Sequence, residues 1–181
     1  MGTPTEIWTI GHSSYPIEEF IAILKAHFIE AVADVRRFAL SRRHPHFNEM
    51  KLFQSLAKAG IEYVSFSELG GRRRPLPDSP NSTWRNQSFR GYADFMLTHE
   101  FEHGIQEMLS FAAQKRTAIM CAELLWWRCH RALLSDYLKS HGIKVIHILG
   151  AKKTEEHPYT SAARIEDGKL TYTPEPQCAA A

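Results

Sequence analysis

The stretch T-A-I-M-C-A-E-L-L-W-W-R-C-H-R, Thr117 to Arg131, starts as an apolar run and ends at the threshold of a helix. Thr117 to Cys121 has the length and composition of a buried strand. From about Arg128 to Ser140 the spacing predicts a helix whose apolar stripe is Leu133, Leu134, Tyr137 and Leu138, stopped by Gly142. The same alternation repeats on either side. Ile7 to Ile10 reads as a strand, and Pro16 to Phe28 as a helix with proline in its first turn. Ala31 to Val35 is a second strand, and a helix capped by Asn48 follows. Ile61 to Phe66 is a third strand; after a long loop, Gly70 to Gly91, one or two helices span Tyr92 to Ala113. Lys144 to Leu149 closes the series.

Strands alternating with helices predict an α/β fold. The expectation is a single domain with a mostly parallel, Rossmann-like sheet of about five strands flanked by helices, over residues 1–150. Residues 151–181 read as a short C-terminal extension, with a small hairpin turning at Asp167-Gly168 and a disordered end. Composition agrees. A chain of 181 residues that is 44% hydrophobic can fill one core, which excludes a disordered chain. A net charge of +2 excludes a polycation that coats nucleic acid by bulk charge. No apolar run approaches the ~18 residues of a membrane span, and the N-terminus lacks the layout of a signal peptide. The expected compartment is the cytoplasm, with no membrane partner. Of three cysteines, Cys178 lies in the tail and Cys121 and Cys129 flank the quoted run, which is no disulfide framework.

In parallel α/β sheets, ligands bind beyond the carboxyl ends of the strands. Four loops open there: Gly11-His12-Ser13, Asp34-Val35-Arg36-Arg37, Glu68 to Arg74, and Cys121-Ala122-Glu123. Each carries charged or reactive groups, so one rim of the sheet is the expected site. Gly11 lets the backbone approach a ligand. His12 is placed either as a general acid or base or as a solvated loop residue behind a Ser13 cap. Asp34 and Arg36 alternate along the end of the second strand, either as a structural ion pair or with Asp34 orienting a catalytic partner. Arg128 and Arg131, three apart at a helix start, suit phosphate oxygens, and Glu123 suits proton transfer. The alternative is that these arginines pair with surface acids.

Cys121 and Cys129 are read either as small core residues or as a source of a thiolate in a positive field. Their spacing is not the tight C-x₂₋₄-C of structural zinc, and adjacent Cys129 and His130 diverge by about 100° on a helix. No metal and no cofactor are expected. The loops are lopsided in charge. Arg36 to His46 holds four arginines and two histidines with no acid, and Arg72 to Arg90 holds five arginines against Asp78, with Trp84 and Phe89 between them. Arginines with interleaved aromatics suit a phosphate backbone and stacked bases, unless they meet the acidic segment Glu100 to Glu107 instead. Trp126 and Trp127 suit stacking on a base or packing in the core. The expected partner is a phosphate-bearing small molecule or nucleic acid. Arg36 is expected to hold the anion with Arg128 and Arg131, and Gly11, Ser13, Gly71, Arg72 and His130 complete the substrate-binding set. A non-catalytic nucleic-acid-binding module is the alternative.

Taken in order, T-I-G-H-S, D-V-R, L-G-G and C-A-E…C-H-R resemble the DUF488 family over roughly residues 7–149. The resemblance implies one α/β domain. It points to Thr9, Gly11, His12, Ser13, Asp34, Arg36, Gly70, Gly71, Cys121, Glu123, Cys129, His130 and Arg131 as characteristic positions. It implies no assigned reaction. Leu124-Leu125-Trp126-Trp127 is bulkier than the family's usual stretch, which implies a different substrate preference. A fainter likeness is to rhodanese-like domains, with Asp-x-Arg after an early strand and a cysteine at a strand-to-helix loop. It implies cysteine-dependent sulfur transfer as a further alternative, although Cys121 to Arg131 is too long for their cysteine loop.

Overall fold

A computed structural model describes residues 2–175 of the chain. Cys178 and the end expected to be disordered lie outside the described residues. In chain order the elements are β1 (Glu6–Gly11), α1 (Ile17–Ala26), β2 (Ala31–Asp34), α2 (Glu49–Lys58), β3 (Glu62–Ser65), α3 (Gln87–Phe95), α4 (His99–Ala112), β4 (Thr117–Cys121), α5 (Arg131–Ser140), β5 (Lys144–Gly150), β6 (Lys153–Glu156), β7 (Arg164–Glu166) and β8 (Lys169–Thr171). Six strands form one sheet in the order β3-β2-β4-β1-β5-β6. Its first five are parallel and β6 is an antiparallel edge. The fold is a single α/β domain, as the alternation predicts.

Residue parity decides which side of the sheet each strand residue covers, because successive side chains point to opposite faces. Ile7, Ala33, Val35, Ile119, Cys121 and Val145 pack with α3, α4 and α5. Trp8, Ile10, Val32, Ala118, Met120 and Ile146 pack with α1 and α2. Strands buried on both faces read as continuous apolar runs. β1 therefore feeds a helix on one face and its neighbour β4 feeds α5 on the other. A crevice opens between their ends, as expected where connections reverse direction.

Three elements differ from the sequence reading. α3 begins at Gln87, inside the stretch expected to be loop, because the Asn86 side chain accepts from the backbone N–H groups of Ser88 and Phe89. The rest of that loop is pinned by Asp94, which accepts from Leu76 N at 2.8 Å, Ser79 Oγ at 2.5 Å and Asn81 Nδ2 at 2.8 Å. α5 begins at Arg131 rather than Arg128, since Trp126–Arg128 forms a separate 3-10 turn. β6 is a polar edge strand with no apolar alternation to announce it. The hairpin at Asp167-Gly168 forms as expected, and Tyr172 just beyond it packs into the core on the α5 side. Among the described residues no helix is long and apolar enough to cross a membrane.

Candidate active site

The crevice is held shut at its base by backbone. Beyond the strands, His12 N donates to Cys121 O at 2.9 Å and Ser13 N to Ala122 O at 2.9 Å. The two chains lie so close that a Cβ on Gly11 would fall 1.9 Å from the Glu123 carbonyl oxygen. Above this seam sits a cavity of about 900 Å³. Its two walls come from opposite faces of the sheet and carry different chemistry.

The wall on the α1 and α2 side is a buried ion pair with a histidine on top. Asp34 and Arg36 are 0% and 6% exposed. Arg36 donates from Nε to Oδ1 at 2.8 Å and from NH2 to Oδ2 at 2.6 Å. Tyr63 Oη also donates to Asp34 at 2.7 Å, and burial together with that carboxylate pushes its pKa up. The second guanidinium nitrogen of Arg36 donates to Phe47 O at 2.9 Å and to His12 Nε2 at 3.2 Å. His12 Nδ1 lies 2.9 Å from Ser13 O, which can only accept, so Nδ1 carries the proton. His12 is therefore neutral with both nitrogens occupied. Burial and the Arg36 charge lower its pKa to about 4. Asp34 does not reach the cavity; it positions Arg36, which in turn fixes the tautomer of His12.

The opposite wall is built on the start of α5. Arg131 is 1% exposed, and its guanidinium is turned inward. Nε donates to Cys121 Sγ at 3.0 Å and Cys129 Sγ at 3.4 Å, NH1 to Thr9 Oγ1 at 3.2 Å, and NH2 to the carbonyls of Leu124, at 3.1 Å, and Glu123. The expected role of Arg131 in gripping a substrate anion is thus corrected. Moving the helix start to residue 131 points this side chain into the core instead of over the helix end.

The two sulfurs are 3.1 Å apart. Burial opposes ionisation of both. At Cys129 the hydrogen bond from Cys121 and the charge of Arg131 outweigh burial and hold the thiol well below its ordinary value, whereas Cys121 is pushed up. Cys129 faces the cavity and is half-buried. His130, beside it, bonds Val35 O from Nε2 at 3.0 Å, so the proton sits on Nε2. Its Nδ1 lone pair has no hydrogen-bond partner among the described residues, and Gly71 leaves it room: a Cβ there would fall 2.9 Å away. Burial lowers the pKa of His130.

Behind Arg131 a chain of bonds runs through the core. Thr9 Oγ1 meets His147 Nδ1 at 2.7 Å, His147 Nε2 meets His157 Nδ1 at 2.9 Å, and His157 Nε2 meets Asp136 Oδ1 at 2.9 Å. Asp136 also accepts from Thr160 Oγ1 at 2.6 Å and Tyr172 Oη at 2.9 Å. The C-terminal extension is thereby tied to the residue that holds the two cysteines. Burial and the neighbouring His157 lower the pKa of His147 to about 2.

Of the residues selected from sequence, His12, Ser13, Arg36, Gly71, Arg72, Cys121, Glu123, Arg128 and His130 border the cavity. Gly11, Asp34 and Arg131 stand behind it. Arg37, Arg42 and Arg43 complete a basic rim from the loop after β2, and Ser88 and Phe89 reach it from α3. Phe89 is one of the aromatics expected between the loop arginines, whereas nothing in the sequence marks Ser88, which only the packing of α3 brings there. Trp126 stacks on His147 at 4.5 Å, a core contact, and Trp127 is exposed outside the cavity. Trp84 is half-buried, packs against Phe89 and Tyr172 at 5.0 and 5.7 Å, and does not border the cavity. Among the described residues no three His, Cys, Asp or Glu side chains cluster as metal ligands would.

A family model, Domain of unknown function DUF488, matches residues 16–138. That span takes in β2, β4 and the start of α5, and leaves the T-I-G-H-S segment outside it. No curated protein and no solved structure matches the chain, and the rhodanese-like likeness has no support in these comparisons.

Proposed function

The chain belongs to the DUF488 family, and from the geometry of its cleft we propose that it is an enzyme acting on a phosphate-bearing substrate, a nucleotide or a segment of nucleic acid. One observation carries this reading. Arg37, Arg42, Arg43, Arg72 and Arg128 converge on the cavity, and Glu123 is the one carboxylate among the lining residues. Arg36 adds no net charge, since Asp34 neutralises it. Five guanidinium forks around one concave surface suit an oligo-anion far better than a neutral or cationic ligand. Exposed Phe38, beside Arg37 on the rim, supplies an apolar face for a base or sugar.

His130 and Glu123 are the groups proposed for proton transfer. His130 presents a free Nδ1 with its tautomer fixed by Val35 O, and Glu123 lines the same cavity. His12 passes from that role to a positioning one, because Arg36 already occupies its Nε2. Trp84, the aromatic expected to serve a non-catalytic binding module, does not border the cavity.

The test is calorimetric titration of nucleoside triphosphates and short oligonucleotides against rising salt. Wild-type protein should bind with a steep salt dependence, and glutamine at Arg42, Arg43 and Arg72 together should weaken binding by at least 30-fold, about 2 kcal/mol. Glu123→Gln and His130→Asn should keep affinity and lose turnover. Salt-independent binding, or unchanged affinity in the triple variant, refutes the anion site.

A further inference from the structure

We propose that Cys121 and Cys129 form a reversible dithiol–disulfide centre, in which Cys129 is the attacking thiolate and Cys121 the resolving thiol. The proposal goes beyond the phosphate reading and does not depend on it.

Three features of the geometry point there. The sulfurs are 3.1 Å apart, inside van der Waals contact, so roughly 1 Å of movement brings them to bonding distance. Both border the 900 Å³ cavity but differ in exposure: Cys129 is half-buried between Arg128 and His130, while Cys121 is only 3% exposed. And both lie within reach of a single buried cation, since Arg131 Nε is 3.0 Å from one sulfur and 3.4 Å from the other. A guanidinium buried to 1% exposure, whose other neighbours are a hydroxyl and two carbonyls, needs a nearby anion. Among the described residues no carboxylate hydrogen-bonds to it. A thiolate shared across the pair supplies that charge.

The oxidant class is a hydroperoxide small enough to enter the cavity. The Cys129 thiolate attacks the terminal peroxide oxygen. An S–O bond forms, the O–O bond breaks, and the leaving alkoxide or hydroxide takes a proton from solvent to depart as alcohol or water. Cys121, as thiolate after giving its proton to solvent, then attacks the sulfenic sulfur. The S–S bond forms, the S–O bond breaks, and hydroxide leaves as water. Two thiols lose two electrons and the peroxide gains them. Closing the disulfide removes the anion facing Arg131, so the buried guanidinium favours the reduced state and the bond is readily reopened by a thiol reductant. Since Arg128 and His130 flank Cys129 in the chain, closing the bond also shifts two residues of the cavity wall.

The experiment uses the full chain carrying Cys178→Ser, so that two thiols remain. One equivalent of hydrogen peroxide should lower the intact mass by two hydrogens and link the Cys121 and Cys129 peptides, and excess glutathione should reverse this. Cys129 alkylation by iodoacetamide should fall less than about 3-fold from pH 8 to 6, where an ordinary thiol falls roughly 80-fold. Adding Cys121→Ser should trap a sulfenic acid on Cys129 as its dimedone adduct, and adding Cys129→Ser should leave Cys121 unoxidised. The proposal is overturned if peroxide leaves both thiols of the folded protein free, or if Cys129 runs on to sulfinic acid with no link to Cys121. The mass measurement needs neither serine variant at those two sites to fold.

Discussion

Asp34→Asn tests how the two walls of the cleft are held. The substitution preserves shape and removes charge. In the wild type Asp34 takes both forks of Arg36, at 2.8 and 2.6 Å, with the Arg36 backbone N–H at 3.0 Å and the Tyr63 hydroxyl at 2.7 Å. An asparagine offers one acceptor oxygen, and its amide N–H groups then oppose donors from Arg36 or Tyr63. Arg36 cannot escape to water, being 6% exposed with NH1 fixed on Phe47 O. Removing one member of a buried pair costs about 3–5 kcal/mol, because the other charge stays buried. For a domain of this size that is a drop in Tm of roughly 6–20 °C. Urea unfolding followed by tryptophan fluorescence gives the difference directly. Arg36→Met in the same chain removes the stranded charge, so the double variant should lose clearly less than the sum of the singles. A loss below about 1 kcal/mol in Asp34→Asn, or strict additivity in the double variant, refutes the buried pair as the anchor of this wall.

Acid should weaken the fold through its neutral buried histidines. His12 titrates near 4 and His147 near 2 in the folded chain, against about 6.5 unfolded, so between these values the unfolded chain binds more protons. Stability is complete above pH 6.5 and falls as pH drops, by about 2 kcal/mol per histidine at pH 5. Urea midpoints at pH 7 and 5 measure it, and replacing both with glutamine should flatten the slope. Gly11→Ala should cost at least about 2 kcal/mol and lower anion affinity, since backbone of Glu123 and Leu124 must retreat from the new methyl group. Wild-type values in both assays would show that the seam yields freely. Asp94→Ala should release the segment between Leu76 and Asn81, read as faster tryptic cleavage at Arg85 and faster amide exchange there. Asp136→Asn leaves one acceptor oxygen where two serve His157, Thr160 and Tyr172, and should loosen the C-terminal extension, exposing residues 157–172 to exchange before the sheet opens.

What the sequence determined by itself was the periodic part. Apolar runs such as Thr117 to Cys121 and helical stripes such as Leu133, Leu134 and Leu138 depend on local spacing. They announce the α/β order, and with it the rim where His12, Arg36, Cys121 and Glu123 gather. The arginines of the loop after β2 were legible in the same way, as charge without a compensating acid. Tertiary structure decided everything that depends on direction. Whether α5 begins at residue 128 or 131 is about one helical turn in sequence, but it turns Arg131 from the rim to the core and makes it the partner of two sulfurs. Which histidine is free was equally hidden, because the carbonyls of Ser13 and Val35 and the guanidinium of Arg36 assign the protons of His12 and His130. The polar edge strand β6 and the contact from Ser88 left no periodic trace. Side-chain chemistry is written in the sequence; which way each group points is settled by the backbone packed around it.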